Sequence, residues 1–228
     1  MPENSAQVAL GVSDIVMIGT GALVLIVFML VLLLALRPKR KPLSKKQYNA
    51  DLYRRKLALE ELPHPVIHDV RITDGQGKVL RIDHVMRLPA SVLMIMSGPP
   101  DVVGQVKASP AAGQWRYVAG GGEVGTMVNP VVQLHPLIQA LRSRFPLVRV
   151  RLMTVFPNTA DLGSQRGVCR SDDLLKCIRE MVTEDGVSSQ AVDTAWEPLS
   201  RALLQASADA AANKSGSGPG TGGRRAVS

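Results

Sequence analysis

KVLRIDHVMRLPASVLMIMSG, residues 78–98, reads as two strands joined by a tight turn. Lys78 to Met86 alternates apolar with polar side chains, the pattern of a strand with one face in a core. Val92 to Met96 is a short unbroken apolar run, read as the next strand. The turn between them falls at Leu88 to Ala90. The first strand carries one carboxylate, Asp83. Val79, Ile82 and Val85 do not share a face at period two, so a bulge or twist is expected near Arg81.

Working upstream, Val66 to Ile72 alternates weakly and runs into DGQG, Asp74 to Gly77, a turn signal that makes a hairpin with the next strand. Before it, Gln47 to Leu62 reads as a helix that Pro63 and Pro65 terminate. Its apolar positions are Leu52, Leu57 and Leu59, and Arg54, Arg55, Lys56, Glu60 and Glu61 form the solvated remainder. Downstream, SGPPD at Ser97 to Asp101 forces a turn, and Val102 to Val106 and Gln114 to Val118 are short strands. GGGEVG, Gly120 to Gly125, has the glycine spacing of a dinucleotide loop, but no helix opens directly after it, so it reads as a hairpin loop. Asn129 and Pro130 are a helix N-cap and first residue. An apolar stripe through Val131, Leu134, Leu137, Ile138 and Leu141 carries that helix to Arg144, with Pro136 expected to kink it. Leu147 to Phe156 is a strand and Pro157 to Gly167 a loop. Helices then run from Ser171 to about Thr183, and from Ser188 or Ser189 to about Ala212 with a bend at Pro198.

The formal charge of +8 is concentrated outside the expected core. Arg37 to Lys46 carries cations and no acid, and Lys214, Arg224 and Arg225 lie in a Gly/Ser-rich tail. Between Gln47 and Ala212 acids and bases nearly balance, so overall charge gives no support for a nucleic-acid surface. Ile15 to Leu36 has no charged residue and would extend about 33 Å as a helix at about 1.5 Å per residue, enough for a hydrocarbon core of about 30 Å. It is expected to be a single transmembrane helix. The cations after it would place the C-terminal portion in the cytoplasm, with an inner-membrane location and the N-terminus out. The expected layout is a leader over 1–14, the span over 15–36, a basic linker over 37–46 touching lipid headgroups, an α/β domain over 47–185, a helical extension over 186–212 and a disordered tail over 213–228. Cys169 and Cys177 are expected to be reduced structural cysteines, since no zinc-ligand spacing surrounds them.

HDVRI at His68 to Ile72, RIDHV at Arg81 to Val85, Trp115, NPVVQ at Asn129 to Gln133 and VRLMTVF at Val150 to Phe156 occur in an order that resembles the nuclease-related (NERD) domain family. The resemblance covers about Leu57 to Phe156. It implies a restriction-endonuclease-like fold, a mixed sheet flanked by helices. It also implies a site in which an aspartate on one strand and a glutamate, spacer and lysine ending the next hold Mg²⁺ and position a water. Carried over, the aspartate and tentative metal ligand is Asp83, the upstream helix acid is Glu60 or Glu61, and the glutamine of the NP motif is Gln133. The glutamate falls on Met96 and the lysine on Gly98. A thioether is a poor ligand for a hard cation and glycine brings no charge, so the resemblance implies a degenerate site, and no cofactor is expected.

Three functions follow. One is a membrane-anchored cytoplasmic NERD-like binding or scaffolding module without catalysis. The second is an active Mg²⁺-dependent nuclease with a site rearranged around Asp83, using Glu60 or Glu61 and Asp101 or Lys107. The third is a subunit of a membrane complex such as a DNA-transfer apparatus. Lipid, nucleic acid and membrane or cytoplasmic proteins are the partners these readings imply. His68 and His84 sit on adjacent strands of the hairpin, where a histidine pair is more often structural or exposed than functional. No HExxH, GxSxG or Walker A pattern is present.

Overall fold

In a computed structural model of the chain, residues 25–29, 32, 41–73 and 77–216 are described, with side chains as far as 212. Two compact units divide the chain, Met1–Lys39 and Arg40–Ser228.

In the first unit residues 25–29 are helical and exposed. Among the described residues no helix is long and apolar enough to cross a membrane. This corrects the expected single-pass transmembrane helix over 15–36, and with it the inner-membrane location with the N-terminus out. Apart from residues 25–29 and 32, that stretch lies outside the described residues, as do the leader, residues 37–40 of the basic linker and residues 217–228 of the tail.

The second unit is α/β. Its elements are α1 (Lys45–Glu60), β1 (Val66–Thr73), β2 (Val79–Arg87), β3 (Ser91–Ser97), β4 (Val102–Lys107), β5 (Gln114–Ala119), β6 (Val124–Val128), α2 (Pro130–Arg144), β7 (Arg149–Phe156), β8 (Val168–Arg170), a 3₁₀ turn (Ser171–Asp173), α3 (Leu174–Asp185) and α4 (Gln190–Gly216). A five-stranded sheet has the order β1-β2-β3-β7-β8. β1/β2 and β2/β3 are antiparallel, whereas β3/β7 and β7/β8 are parallel. A parallel neighbour needs a long crossover, and between β3 and β7 the chain supplies a separate antiparallel sheet, β4-β5-β6, followed by α2. The mixed sheet flanked by helices is therefore as expected. β6 and β8 are additions: β6 follows the glycine loop as the return strand of a hairpin, and β8 is only three residues long, too short for a periodic signal.

β3 explains the layering. Val92 and Met94 point into a core with Leu134 and Leu141 of α2 and Val192, Leu199 and Leu203 of α4. Leu93 and Ile95 point the other way, into a core with Leu59 of α1 and Leu174 and Ile178 of α3. A strand covered on both sides has no face left for polar residues, which is why its sequence is unbroken apolar. Burying each such side chain stabilises by about 1.5–3 kcal/mol. A third cluster joins Val102, Val106, Trp115 and Tyr117 of the small sheet to Phe156 at the end of β7.

The expected irregularity in the hairpin is present, displaced from Arg81 to the Asp69/Asp83 level. Asp69 has φ 51°, the one positive-φ non-glycine among the described residues, between the pairs His68/His84 and Val70/Ile82. Ile82 and Val85 consequently face the same core although three residues apart, while Met86 faces the opposite one. α2 continues through Pro136 as one helix; Val132, whose carbonyl loses its partner there, is 50% exposed and reaches water.

Candidate functional site

The carboxyl end of β3 and its neighbour Asp83 lie under α1. That helix starts at a capping box, in which the Ser44 side chain accepts from Gln47 N and the Gln47 side chain accepts from Ser44 N. Its buried stripe is Asp51, Arg55 and Leu59, four apart, and two of the three are charged. Leu57, expected to point inward, is 41% exposed. A helix that buries charge must supply partners for it, and these converge on the site.

The Arg55 guanidinium is anchored on three sides. It pairs with Asp51, Nε donates to Ser171 Oγ at 2.8 Å, and Nη1 donates to Ser97 Oγ at 3.1 Å. Ser171 Oγ donates in turn to Asp51 Oδ1 at 2.7 Å. Asp83 Oδ2 accepts from the backbone N–H of Ser97 at 2.6 Å, and Arg81 Nε lies 3.5 Å from Oδ1. Tyr48 Oη donates to the Gly98 carbonyl at 2.8 Å. Burial pushes the Tyr48 phenol up, against the opposing pull of Arg55, so it stays a protonated donor at neutral pH. Gly98 N donates to Val155 O at 2.8 Å, extending the β3/β7 ladder by one residue.

Gly98 has no room for a side chain. A Cβ built there would lie 2.3 Å from Cδ1 and 2.5 Å from Cε1 of Phe156. The place from which the family's lysine would project is filled by an aromatic ring belonging to the third core cluster.

Beside Asp83, His68 and His84 meet across the hairpin with Nδ1 to Nδ1 at 2.7 Å and rings perpendicular. His68 Nε2 is 3.3 Å from Glu60 Oε1, and Lys56 Nζ is 3.7 Å from that same oxygen. Burial, then the neighbouring His68 and the Arg55, Arg81 and Lys56 cations, hold His84 down to about 3. Burial also lowers His68, with Glu60 opposing. Both rings are neutral at pH 7, so one Nδ1–H donates to the other Nδ1. A cavity of about 340 Å³ lined by Asn49, Lys56, His68, Arg81, Asp83 and His84 opens over this pair.

The site residues expected from the sequence are thus distributed unevenly. Asp83 is half-buried at the centre, and Glu60, exposed at the end of α1, contacts His68 and Lys56 rather than Asp83. Glu61 is the exposed C-cap of α1. Gln133 is half-buried on α2, whose Leu134 packs on the opposite face of the sheet. Asp101 is held by Tyr117 Oη at 3.3 Å in the small sheet, and Lys107 is exposed at the end of β4 opposite Arg116. Tyr48, Asp51, Arg55, Ser97 and Phe156 were not expected here. The four-residue spacing of Asp51, Arg55 and Leu59 was the signal for two of them; nothing local marked the others, which arrive from distant elements.

Mg²⁺ does not fit this arrangement. Asp83 already faces a backbone N–H and one guanidinium, a second guanidinium stands behind Ser97, and the adjacent strand end offers a thioether and a glycine. A hard cation needs several oxygen ligands and gains nothing from these donors. Comparison of the chain with protein-family profiles, with curated proteins and with solved structures finds no match.

Proposed function

We propose that this chain is a nuclease-related domain that does not cleave phosphodiesters and works as a binding or scaffolding module. The observation that carries the reading is the packing of Phe156 against Gly98. In the resembled family a lysine at this position would offset charge in the transition state. Here the position has been closed by a core side chain, and its backbone carbonyl is held by Tyr48. Asp83 has a different task to match. Its carboxylate caps the end of β3 through Ser97 N, and Arg55 fixes the Ser97 hydroxyl from the helix side. These bonds stitch α1 to the sheet, and a rigid platform beside the 340 Å³ cavity is the result.

The experiment is a cleavage assay of the full chain on single- and double-stranded DNA and RNA with Mg²⁺ or Mn²⁺. The expected outcome is no cleavage above buffer, with Asp83→Asn indistinguishable from the unaltered chain. Metal-dependent cleavage that Asp83→Asn abolishes would overturn the reading in favour of a rearranged active nuclease.

A further inference from the structure

The two cysteines of the chain take no part in the site above, and both belong to or pack on the core that Leu59 of α1 enters. Cys169 is in β8 and Cys177 is in α3, on separate elements; both thiols are free, and both line a surface cavity of about 410 Å³. Cys169 Sγ also donates to the thioether of Met153 on β7 at 3.3 Å. Met181 stands four residues beyond Cys177, on the same face of α3, and packs on the same core. Met153, Cys177 and Met181 all line a surface cavity of about 580 Å³. One thiol in contact with a thioether, with a second thiol and a second thioether lining the cavities beside them, form an all-sulphur donor set open to solvent.

We propose that Met153, Cys169 and Cys177, with Met181 at the rim, bind one soft monovalent metal ion, Cu⁺. Soft thiolate and thioether donors select Cu⁺ over hard or borderline cations. Among the described residues no three His, Cys, Asp or Glu are placed to hold a metal together, so the harder alternatives lack a ligand set here. With metal–sulphur bonds of roughly 2.3 Å, as thiolates form with zinc, three sulphurs in a trigonal plane lie about 4 Å apart. The Cys169 to Met153 separation of 3.3 Å therefore needs to widen by only a fraction of an ångström. Met153 is 1% and Cys169 is 4% exposed, so the ion would sit in a dry pocket, with half-exposed Cys177 as the way in.

The step balances without an oxidant or reductant. Each thiol releases its proton to solvent, two copper–thiolate bonds and one dative thioether bond form, and copper stays +1. The site gains one net negative charge.

The test titrates the full chain anaerobically with Cu⁺ against a chromophoric Cu⁺ chelator, with both thiols first counted as free by a thiol reagent. The expected result is one Cu⁺ withheld per chain, a raised thermal midpoint and copper–sulphur scattering at about 2.3 Å in X-ray absorption. Cys177→Ser, at a half-exposed position, should fold normally and weaken binding on the order of a hundredfold because an anionic donor is lost. Met181→Leu, which preserves volume, should weaken it several-fold with metal-free stability unchanged. A chain with two free thiols that withholds no Cu⁺, or Cu⁺ retained at full affinity by Cys177→Ser, would overturn the proposal.

Discussion

Arg55 shows how much a single side chain settles in this protein. It is 3% exposed, and its charge is compensated by an equally buried Asp51 and two serine hydroxyls. Removing one member leaves the other charge stranded, so Arg55→Ala should cost about 3–5 kcal/mol in chemical denaturation. Replacing both, as Asp51→Leu with Arg55→Met, should recover most of that loss, because an apolar pair of similar volume needs no compensation. Gly98→Ala sends a methyl group into the Phe156 ring and should cost about 1–3 kcal/mol through overpacking. The same substitution in a Phe156→Leu background should cost measurably less. His84 makes a pH prediction. Its folded value is depressed to about 3 from an ordinary 6.5, so the unfolded chain takes up the proton first as pH falls. The associated stability is complete above pH 6.5 and is lost progressively down to about 3. At pH 5 the loss should be about 2 kcal/mol relative to pH 8, and urea melts of His84→Asn should show a flatter dependence over that window.

At the scale of elements, α4 covers one side of the sheet and α1 with α3 the other, and their contributions differ in kind. α4 buries apolar side chains, Val192, Leu199 and Leu203, against β1 to β3. Leu199→Ala should therefore cost about 2–5 kcal/mol by the usual cavity mechanism, read as a lowered denaturant midpoint with an unchanged slope. α1 contributes Leu59 as its one fully buried apolar residue and otherwise holds the sheet through the Arg55 and Tyr48 hydrogen bonds. The sequence placed both helices but misread how α1 packs. Periodicity finds a helix that packs by oil; it misreads one that packs by a buried ion pair, since Asp51 and Arg55 look like solvated residues until their partners at Ser97 and Ser171 are known.

Across the Arg40–Ser228 unit, β7 is the strand all three clusters share. Val150 and Leu152 pack on the first, Met153 and Val155 belong to the second, and Phe156 enters the third. Unfolding should therefore be cooperative across both sheets. In a Trp196→Phe background, Trp115 fluorescence, which reports on the small sheet, should change at the same denaturant concentration as the helical circular dichroism; separated midpoints would show that the small sheet unfolds independently. The sequence by itself determined the parts set by local periodicity: the β1/β2 hairpin with His68 and His84 on adjacent strands, the apolar strand β3, the capped α2 and the helices after Ser171. It misjudged 15–36, where apolar composition alone suggested a membrane span. On the reading proposed above, Met96 and Gly98 stand where a nuclease would need a glutamate and a lysine. Only the tertiary structure decided what fills that corner, because Tyr48, Arg55, Ser97, Ser171 and Phe156 are separated by up to more than a hundred residues and no local pattern links them. Three-dimensional packing likewise brings Cys169 of β8 against Met153 of β7 and sets Cys177 of α3 in the cavities beside them, which the spacing of the two cysteines does not reveal.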